Sequence, residues 1–297
     1  FEKYAKDFKK DQPQTIMSIT KMFINLFIGE LVEKKLINLN KKVSYYLPKI
    51  GSGYANAKIQ DVLNMNIINS YTEDYTKAYS SSFIHEPVGG WRLPKNLKDN
   101  LSQEKYLNTI KKLKKKKLTN NSGVAFYKSA NTDVIGLIVE KISGKPLRDW
   151  VLLAVEAAGF EEGLYIASDR YGMPWMSGGG CLITRDFLRM GLLFARKGKG
   201  VGNRKVGSSY FFNKTIKEIG PKYMELSKKK YLYYSNSTMV SENMIGHSGY
   251  GGQFLATNFK TGKVAAFFSV LETKSATKES YKIDMINMLI NLVNDRS

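Results

Sequence analysis

Cysteine is all but missing from this chain. Cys181 is the only one in 297 residues, which excludes an intramolecular disulfide framework and any Cys-based metal site, and leaves the redox compartment open. Histidine is nearly as scarce, with His85 and His247 alone, so a His-rich metal centre is not expected. No apolar run approaches the roughly 18–20 residues that a bilayer-crossing helix needs. Arginine is also thin, at 8 against 38 lysines. Base and phosphate recognition draws heavily on arginine, so the formal charge of +20 is not read as a nucleic-acid site. The densest run, "KKLKKKKL" at 111–118, reads as one exposed helix end or loop. A solvated face is the plain reading of this charge, and attraction to an anionic polymer, lipid or wall surface is the functional one. Nothing near Phe1 resembles a secretion leader. Because an address can be removed, a periplasmic or secreted setting and a cytoplasmic one both stay open, with the balance toward the periplasm.

What is present is a chain with 43% hydrophobic residues, enough for a sizeable core in one large domain. "TIMSITKMFINLFIGELVEKKLI" places Ile19, Met22, Phe23, Leu26, Phe27 and Leu31 at helical spacing, with the start near Met17 or Ser18. "KIQDVLNM" (58–65) is a short amphipathic helix, and 66–126 is irregular, punctuated by "EPVGGW" and "TNNSG". A helix over 132–144 ends at Gly144, and another follows Pro146. "SGGGCLITRDFLRMGLLFARKGKG" gives a glycine turn, a short extended piece and a helix with Thr184 as expected N-cap and Gly198 past its end. From about 231 the pattern turns to strands, with "KTGK" (260–263) as a hairpin turn, and the chain closes on an amphipathic helix carrying Ile283, Ile286, Leu289, Ile290 and Val293. The order predicts an α+β fold: an antiparallel sheet flanked by helices, built from both chain ends, with a mostly helical inserted lobe. As one domain over 1–297, the sheet region takes about 1–40 and 200–297, and the lobe about 41–199.

Three short segments carry the chemistry. "QTIMSITKMF" holds Ser18, then Ile19 and Thr20, then Lys21; "FYKSANTDVIG" holds Tyr127 and Ser129 before a helix; "IGHSGYGGQF" holds His247, Ser248 and Gly249 before a glycine-rich strand. Ser-x-x-Lys alone is weak in a Lys-rich chain. All three, in this order and at these separations, resemble the serine β-lactamase and penicillin-binding-protein superfamily, with its β-lactamase/transpeptidase-like fold. More narrowly the chain resembles the class C β-lactamase, family VIII esterase and 6-aminohexanoate-dimer hydrolase branch, and its Tyr-x-Ser-x-x-Thr-Asp-x-x-Gly form is closest to the last. The likeness runs from about residue 10 through essentially the whole chain. Two departures stand out. The family has a strand or two ahead of the nucleophile helix, where this chain has 17 residues, so either the chain is a trimmed product or the sheet lacks a strand. β-Lactamases and transpeptidases also place lysine where this chain has His247, which makes recognition of a β-lactam or D-Ala-D-Ala carboxylate less secure.

A serine hydroxyl attacks a carbonyl poorly unless a base lies within hydrogen-bond reach. Lys21, one turn on from Ser18, can serve if the helix start and partial burial lower its pKa. The expected mechanism is attack of Ser18 on a small amide or ester, with Lys21 and Tyr127 sharing the proton. Lys21 is expected to stabilise a Tyr127 phenolate, and the division of base duty between the two stays open. The resemblance implies an oxyanion site between the backbone N–H groups of Ser18 and Tyr250, beside Gly249. It also implies His247 near Tyr127 or the substrate, and Ser129 orienting Lys21 or the substrate. Glu73 and Asp74 in "YTEDY" are candidates for receiving a substrate ammonium. No metal and no organic cofactor is implied. Plainer readings stand beside these: Ser18 as an N-cap, Tyr127 and His247 as structural side chains, and Ser129 as a loop brace. Likewise Glu73 and Asp74 can be solvated carboxylates, the Gly178–Gly180 run a close-packing turn, Asp61 and Asp186 structural, Cys181 core, and His85 without chemical role. The competing classes are a β-lactamase or DD-peptidase, and a non-catalytic binding protein using its basic surface. Oligomeric state is not legible.

Overall fold

The computed structural model describes residues 1–96, 101–270 and 278–295. The chain enters through β1 (Gln14–Thr15), makes one 3₁₀ turn over Met17–Lys21, and continues without a break into α1 (Met22–Glu33). Every residue of α1 from Met22 to Gly29 is buried, so this helix is an axle and not a one-sided surface helix. Around it pack α6 (Ser129–Ser143), α7 (Leu147–Ala158) and α9 (Ser209–Lys217). Phe23 and Phe27 lie fully inside this core, each contributing about 1.5–3 kcal/mol by leaving water. The short helices α2 (Val43–Tyr46), α3 (Ile59–Leu63), α4 (Ser81–Val88) and α5 (Gln103–Asn108) complete the lobe.

Several predicted elements end where their residues require. Gly144 and Gly159 close α6 and α7 in the left-handed region, each at φ +67°, a conformation glycine adopts without strain. In contrast, Thr184 does not cap α8 (Thr184–Ala195): Ile183 holds the cap position, with no side-chain bond there, and Thr184 is the first helical residue. Region 66–126, expected to be irregular, contains α4 and α5. Pro87 sits in the last turn of α4, where it has no N–H to give Phe83, and the helix stops one residue later at Val88.

The two sheets are separate. The small one is β1–β3–β2, with β2 at Tyr165–Ile166 and β3 at Gly180–Leu182. The large one is an antiparallel meander of β4 (Lys222–Ser227), β5 (Lys230–Ser235), β6 (Thr238–Ser241), β7 (Met244–Gly249), β8 (Gln253–Asn258) and β9 (Val264–Phe267). Its strands all come from one stretch of chain. The N-terminal stretch reaches it through the 3₁₀ turn, which packs on β7 and β8, and not through a strand. β8 is buried along its whole length because helices cover both faces. Phe254 and Ala256 join the cluster under α10 (Glu279–Asn294) with Ile286, Leu289 and Val293, while Leu255 faces the other core. On that second side α8 packs on β8 and β9.

The glycine run before β3 works by close approach. A Cβ on Gly180 would stand 2.8 Å from Thr20 Oγ1, and one on Gly179 would stand 3.0 Å from the Trp175 carbonyl. Gly180 N–H instead donates to Thr20 Oγ1 at 3.0 Å, and Thr20 Oγ1 donates to the Met17 carbonyl at 2.7 Å. The run therefore clamps the turn that carries Ser18 from behind. Cys181, expected in the core, is half-buried in β3.

Candidate active site

The turn that carries Ser18 begins under strain. Met17 adopts φ +45°, rare for a side chain with a Cβ, and the neighbouring bonds hold it there: Met17 N–H to Thr15 Oγ1, and the Thr20 hydroxyl to the Met17 carbonyl. The 3₁₀ geometry then matters for chemistry. Residues three apart eclipse in such a turn, so Ser18 and Lys21 stack. Lys21 Nζ lies 3.0 Å from Ser18 Oγ. Ser18 is thus inside the turn and not its N-cap, a position held by Ile16.

Lys21 is fully buried. Its amine donates to the Ser18 hydroxyl and to the Ser177 carbonyl, and it lies 5.2 Å from the centre of the Tyr127 ring. Burial pulls its pKa down to about 8, against an opposing pull from the Glu73 and Asp133 carboxylates. The expected fall is present, with desolvation as its main cause. The expected Tyr127 phenolate is not. Burial, reinforced by Tyr234, Tyr75, Tyr223 and Glu73, holds the Tyr127 phenol well above its usual range, so it is protonated near neutrality.

Tyr127 is walled by aromatic neighbours, with ring centres at 5.7 Å to Tyr234, 5.9 Å to Tyr223 and 6.3 Å to His247. His247 is buried and both its nitrogens are engaged. Nδ1 sits 2.7 Å from the Ser248 carbonyl and must donate to it, so Nε2 accepts from the Tyr234 hydroxyl at 3.2 Å. Burial takes its pKa down to about 3, and the ring is neutral. It supports the Tyr127 wall, with no nitrogen left for a substrate.

Gly249 ends β7 beside the turn that carries Ser18, and a Cβ there would stand 2.6 Å from the Ile16 carbonyl. Only glycine lets the strand come so close. Tyr250, one residue on, faces the same cleft as Ser18 and Gly249.

Glu73 and Asp74 line the cleft with Ser18, and they and Ser129 also have partners within the protein. Ser129 opens α6, whose N-cap residue Lys128 provides no side-chain cap. Glu73 fills that role: one oxygen accepts Ser129 N–H at 2.8 Å and the other accepts the Ser129 hydroxyl at 2.7 Å, with Tyr75 OH donating as well. Glu73 is therefore spent on α6 and on Tyr75, and Ser129 is spent on Glu73 and not on Lys21. Asp74 accepts from Thr76 N–H and hydroxyl at 3.0 and 2.6 Å and pairs with Lys77 at 3.1 Å. Both carboxylates nevertheless line the cleft, and Asp74 keeps about a third of its side chain exposed.

The cleft over Ser18 has a volume of about 820 Å³. Besides the residues above, its wall includes Tyr71, Tyr75, Tyr223, Lys128 and Lys282, which sequence reasoning did not single out. Tyr75 stacks obliquely on Tyr250 with ring centres 5.3 Å apart, and "YTEDY" was the available signal for it. Asp133 and Ser177, buried behind Lys21, were also missed although both lie in stretches already quoted.

Comparison with known proteins bears on the family and the fold. A family model described as beta-lactamase matches residues 3–284. A 6-aminohexanoate-dimer hydrolase from Paenarthrobacter ureafaciens is 28% identical over 214 residues, covering 70% of this chain and 52% of the relative. The chain thus spans about half the length of that curated relative. Among solved structures, a Bacillus anthracis protein described as a candidate 6-aminohexanoate-dimer hydrolase superposes with a TM-score of 0.76 at 19% identity, covering 100% of this chain and 77% of that one. A family VIII carboxylesterase gives 0.65 at 13% identity, over 95% of this chain and 84% of the other. A penicillin-binding protein from Bacillus halodurans gives 0.63 at 16%, over 94% and 86%. At these identities the structural likeness concerns the fold.

Proposed function

The chain belongs to the beta-lactamase family, and from that premise we propose that it is a serine hydrolase cleaving a small amide or ester through an acyl-serine. Ser18 is the nucleophile, Lys21 the base and Tyr127 the proton donor to the leaving group. The observation that carries this is the 3.0 Å contact between Ser18 Oγ and the amine of a fully buried lysine.

Burial leaves a usable share of Lys21 as free amine near neutrality. That amine takes the Ser18 proton as Oγ bonds to the substrate carbonyl carbon. The developing oxyanion is held by the backbone N–H groups of Ser18 and Tyr250. As the C–N or C–O bond breaks, the leaving amine or alcohol takes a proton from Tyr127, which the Lys21 ammonium replaces. Water then attacks the acyl-serine, giving a proton to the same pair and returning Ser18 to its hydroxyl form. Glu73 acts at one remove, fixing Tyr75 and the start of α6 and, through α6, the neighbouring Tyr127.

The substrate class we favour is that of 6-aminohexanoate-dimer-hydrolase-like amidases and esterases, supported by the similarity to such a hydrolase and by a cleft that sets tyrosines beside the carboxylates of Glu73 and Asp74. A β-lactam or D-Ala-D-Ala carboxylate would find neutral, fully engaged His247 where lysine is usual. The basic surface is proposed to contact anionic polymers without taking part in chemistry. Turnover of p-nitrophenyl esters by wild type and Ser18→Ala tests the reading. Loss of turnover with the melting temperature held within about 2 °C, roughly 1 kcal/mol for a chain of this length, is expected. Retained turnover removes Ser18 from the mechanism.

A further inference from the structure

Behind Lys21, on the side away from the cleft, α6 and α4 bring together a second set of ionisable side chains. Asp133 of α6 and His85 of α4 are both fully buried. One Asp133 oxygen, Oδ1, accepts the Ser177 N–H at 3.1 Å, and the carbonyl of the same Ser177 accepts from the Lys21 amine. Residue 177 is thus gripped by the acid at its N–H and by the base at its C=O. The other oxygen, Oδ2, has no hydrogen-bond partner, and neither does His85 Nε2, which lies 3.6 Å from it. The second His85 nitrogen, Nδ1, lies 3.3 Å from the Tyr71 hydroxyl. The imidazole cannot swing away, because it stacks on Tyr106 at 4.7 Å and meets Trp175 edge-on at 5.9 Å.

We propose that Asp133 and His85 form a buried proton-holding pair that sets the charge on Lys21, making Asp133 the positioning residue of the base. The proposal rests on Lys21 being the base of the reaction above. A carboxylate in this interior is costly unless a cation answers it, and Lys21 is the ammonium that reaches the same Ser177 unit. Two arrangements carry the same net charge. With the proton on Lys21, Asp133 is ionised, His85 presents Nε2–H to Oδ2, and Nδ1 accepts from Tyr71. With the proton on Asp133, Oδ2–H points at His85 Nε2, Nδ1–H faces the Tyr71 oxygen, and Lys21 is a free amine able to accept from Ser18. The histidine changes tautomer and stays neutral in both, in keeping with a pKa that burial and Lys21 take down to about 3. Asp133 is shifted the other way: burial raises its carboxyl far above the usual range, with the Ser177 bonds and Lys21 pulling it back. The remaining groups around the pair are Tyr54, Tyr71 and Tyr106, all held protonated by burial, and Glu73, already committed to Ser129.

The test follows the Asp133 carboxyl directly, by carbon-13 NMR of the full chain labelled at aspartate side chains, alongside the pH profile of acylation. In wild type the Asp133 carboxyl should titrate far above other aspartates, and in Lys21→Met its midpoint should rise by about one pH unit or more, since a neighbouring positive charge is lost. Asp133→Asn should move the acid limb of kcat/KM to lower pH by a similar amount, with about tenfold faster acylation at pH 6, whereas a merely structural role would lower the whole profile without moving it. An Asp133 carboxyl that titrates in the ordinary range and ignores Lys21→Met overturns the proposal, as does an unmoved acid limb in a folded Asp133→Asn. If the asparagine variant does not fold, the wild-type and Lys21→Met titrations decide alone. Failure of the Ser18 reading would show separately, as retained turnover in Ser18→Ala with the Asp133 titration unchanged.

Discussion

The base at the centre of the reaction makes a quantitative demand on pH. Lys21 works only as a free amine. An ordinary lysine near 10.5 is almost wholly charged at pH 7, and the fall to about 8 in this site raises the free fraction by about 300-fold, equivalent to about 3 kcal/mol of proton affinity. The sign is fixed by the role: kcat/KM should climb about tenfold per pH unit below the Lys21 value and level off above it. The donor adds a second condition. Tyr127 must stay protonated, and its pKa lies well above 10, so no descending limb is expected until beyond that point. The assay is p-nitrophenyl ester hydrolysis read at a wavelength insensitive to nitrophenol ionisation, with Lys21→Arg as the variant whose side chain cannot become neutral. That variant should lose activity across the range. A wild-type rate that is flat from pH 5 to 10, or that keeps climbing to about 10.5 as an unshifted lysine would, refutes the argument that burial activates Lys21.

Two further outcomes follow from the geometry. Tyr127→Phe keeps the ring against Tyr223 and Tyr234 but removes the proton, and should slow acylation by about 10²–10⁴-fold in single-turnover measurements; a near-normal rate assigns proton delivery elsewhere. Gly249→Ala forces a methyl to within 2.6 Å of the Ile16 carbonyl, so denaturant unfolding should show a loss of about 1–3 kcal/mol. Displacement of the Tyr250 N–H should also cost about 10²–10³ in kcat, and unchanged stability and rate would remove the close approach of β7 from the account.

How much of this was legible beforehand varies with the reach of the signal. Ser18 and Lys21 are three residues apart, and a local helical turn was enough to pair them; that the turn is 3₁₀ and starts from a strained Met17 depends on the clamp by Thr20 and Gly180, which spacing does not encode. Gly144 marked the end of its helix because a left-handed cap is a local need. The helices α4 and α5 were hidden because each is short, at 8 and 6 residues, and the first carries a proline. Glu73 was noticed for its charge, but its capping of α6 was hidden, since its partner Ser129 lies 56 residues away and its own neighbour Lys128 supplies no cap. His85 looked idle for the same reason: Asp133 reaches it only once α4 and α6 have packed.

The central claim is that Ser18 is made nucleophilic by a buried amine, and covalent capture measures that most directly. Intact-mass analysis after exposure to a fluorophosphonate, followed by peptide mapping, should find one adduct on wild type, located on Ser18 and absent from Ser18→Ala. An unlabelled wild type, or an adduct that persists in Ser18→Ala, contradicts the account and favours a binding protein that keeps the fold without the chemistry.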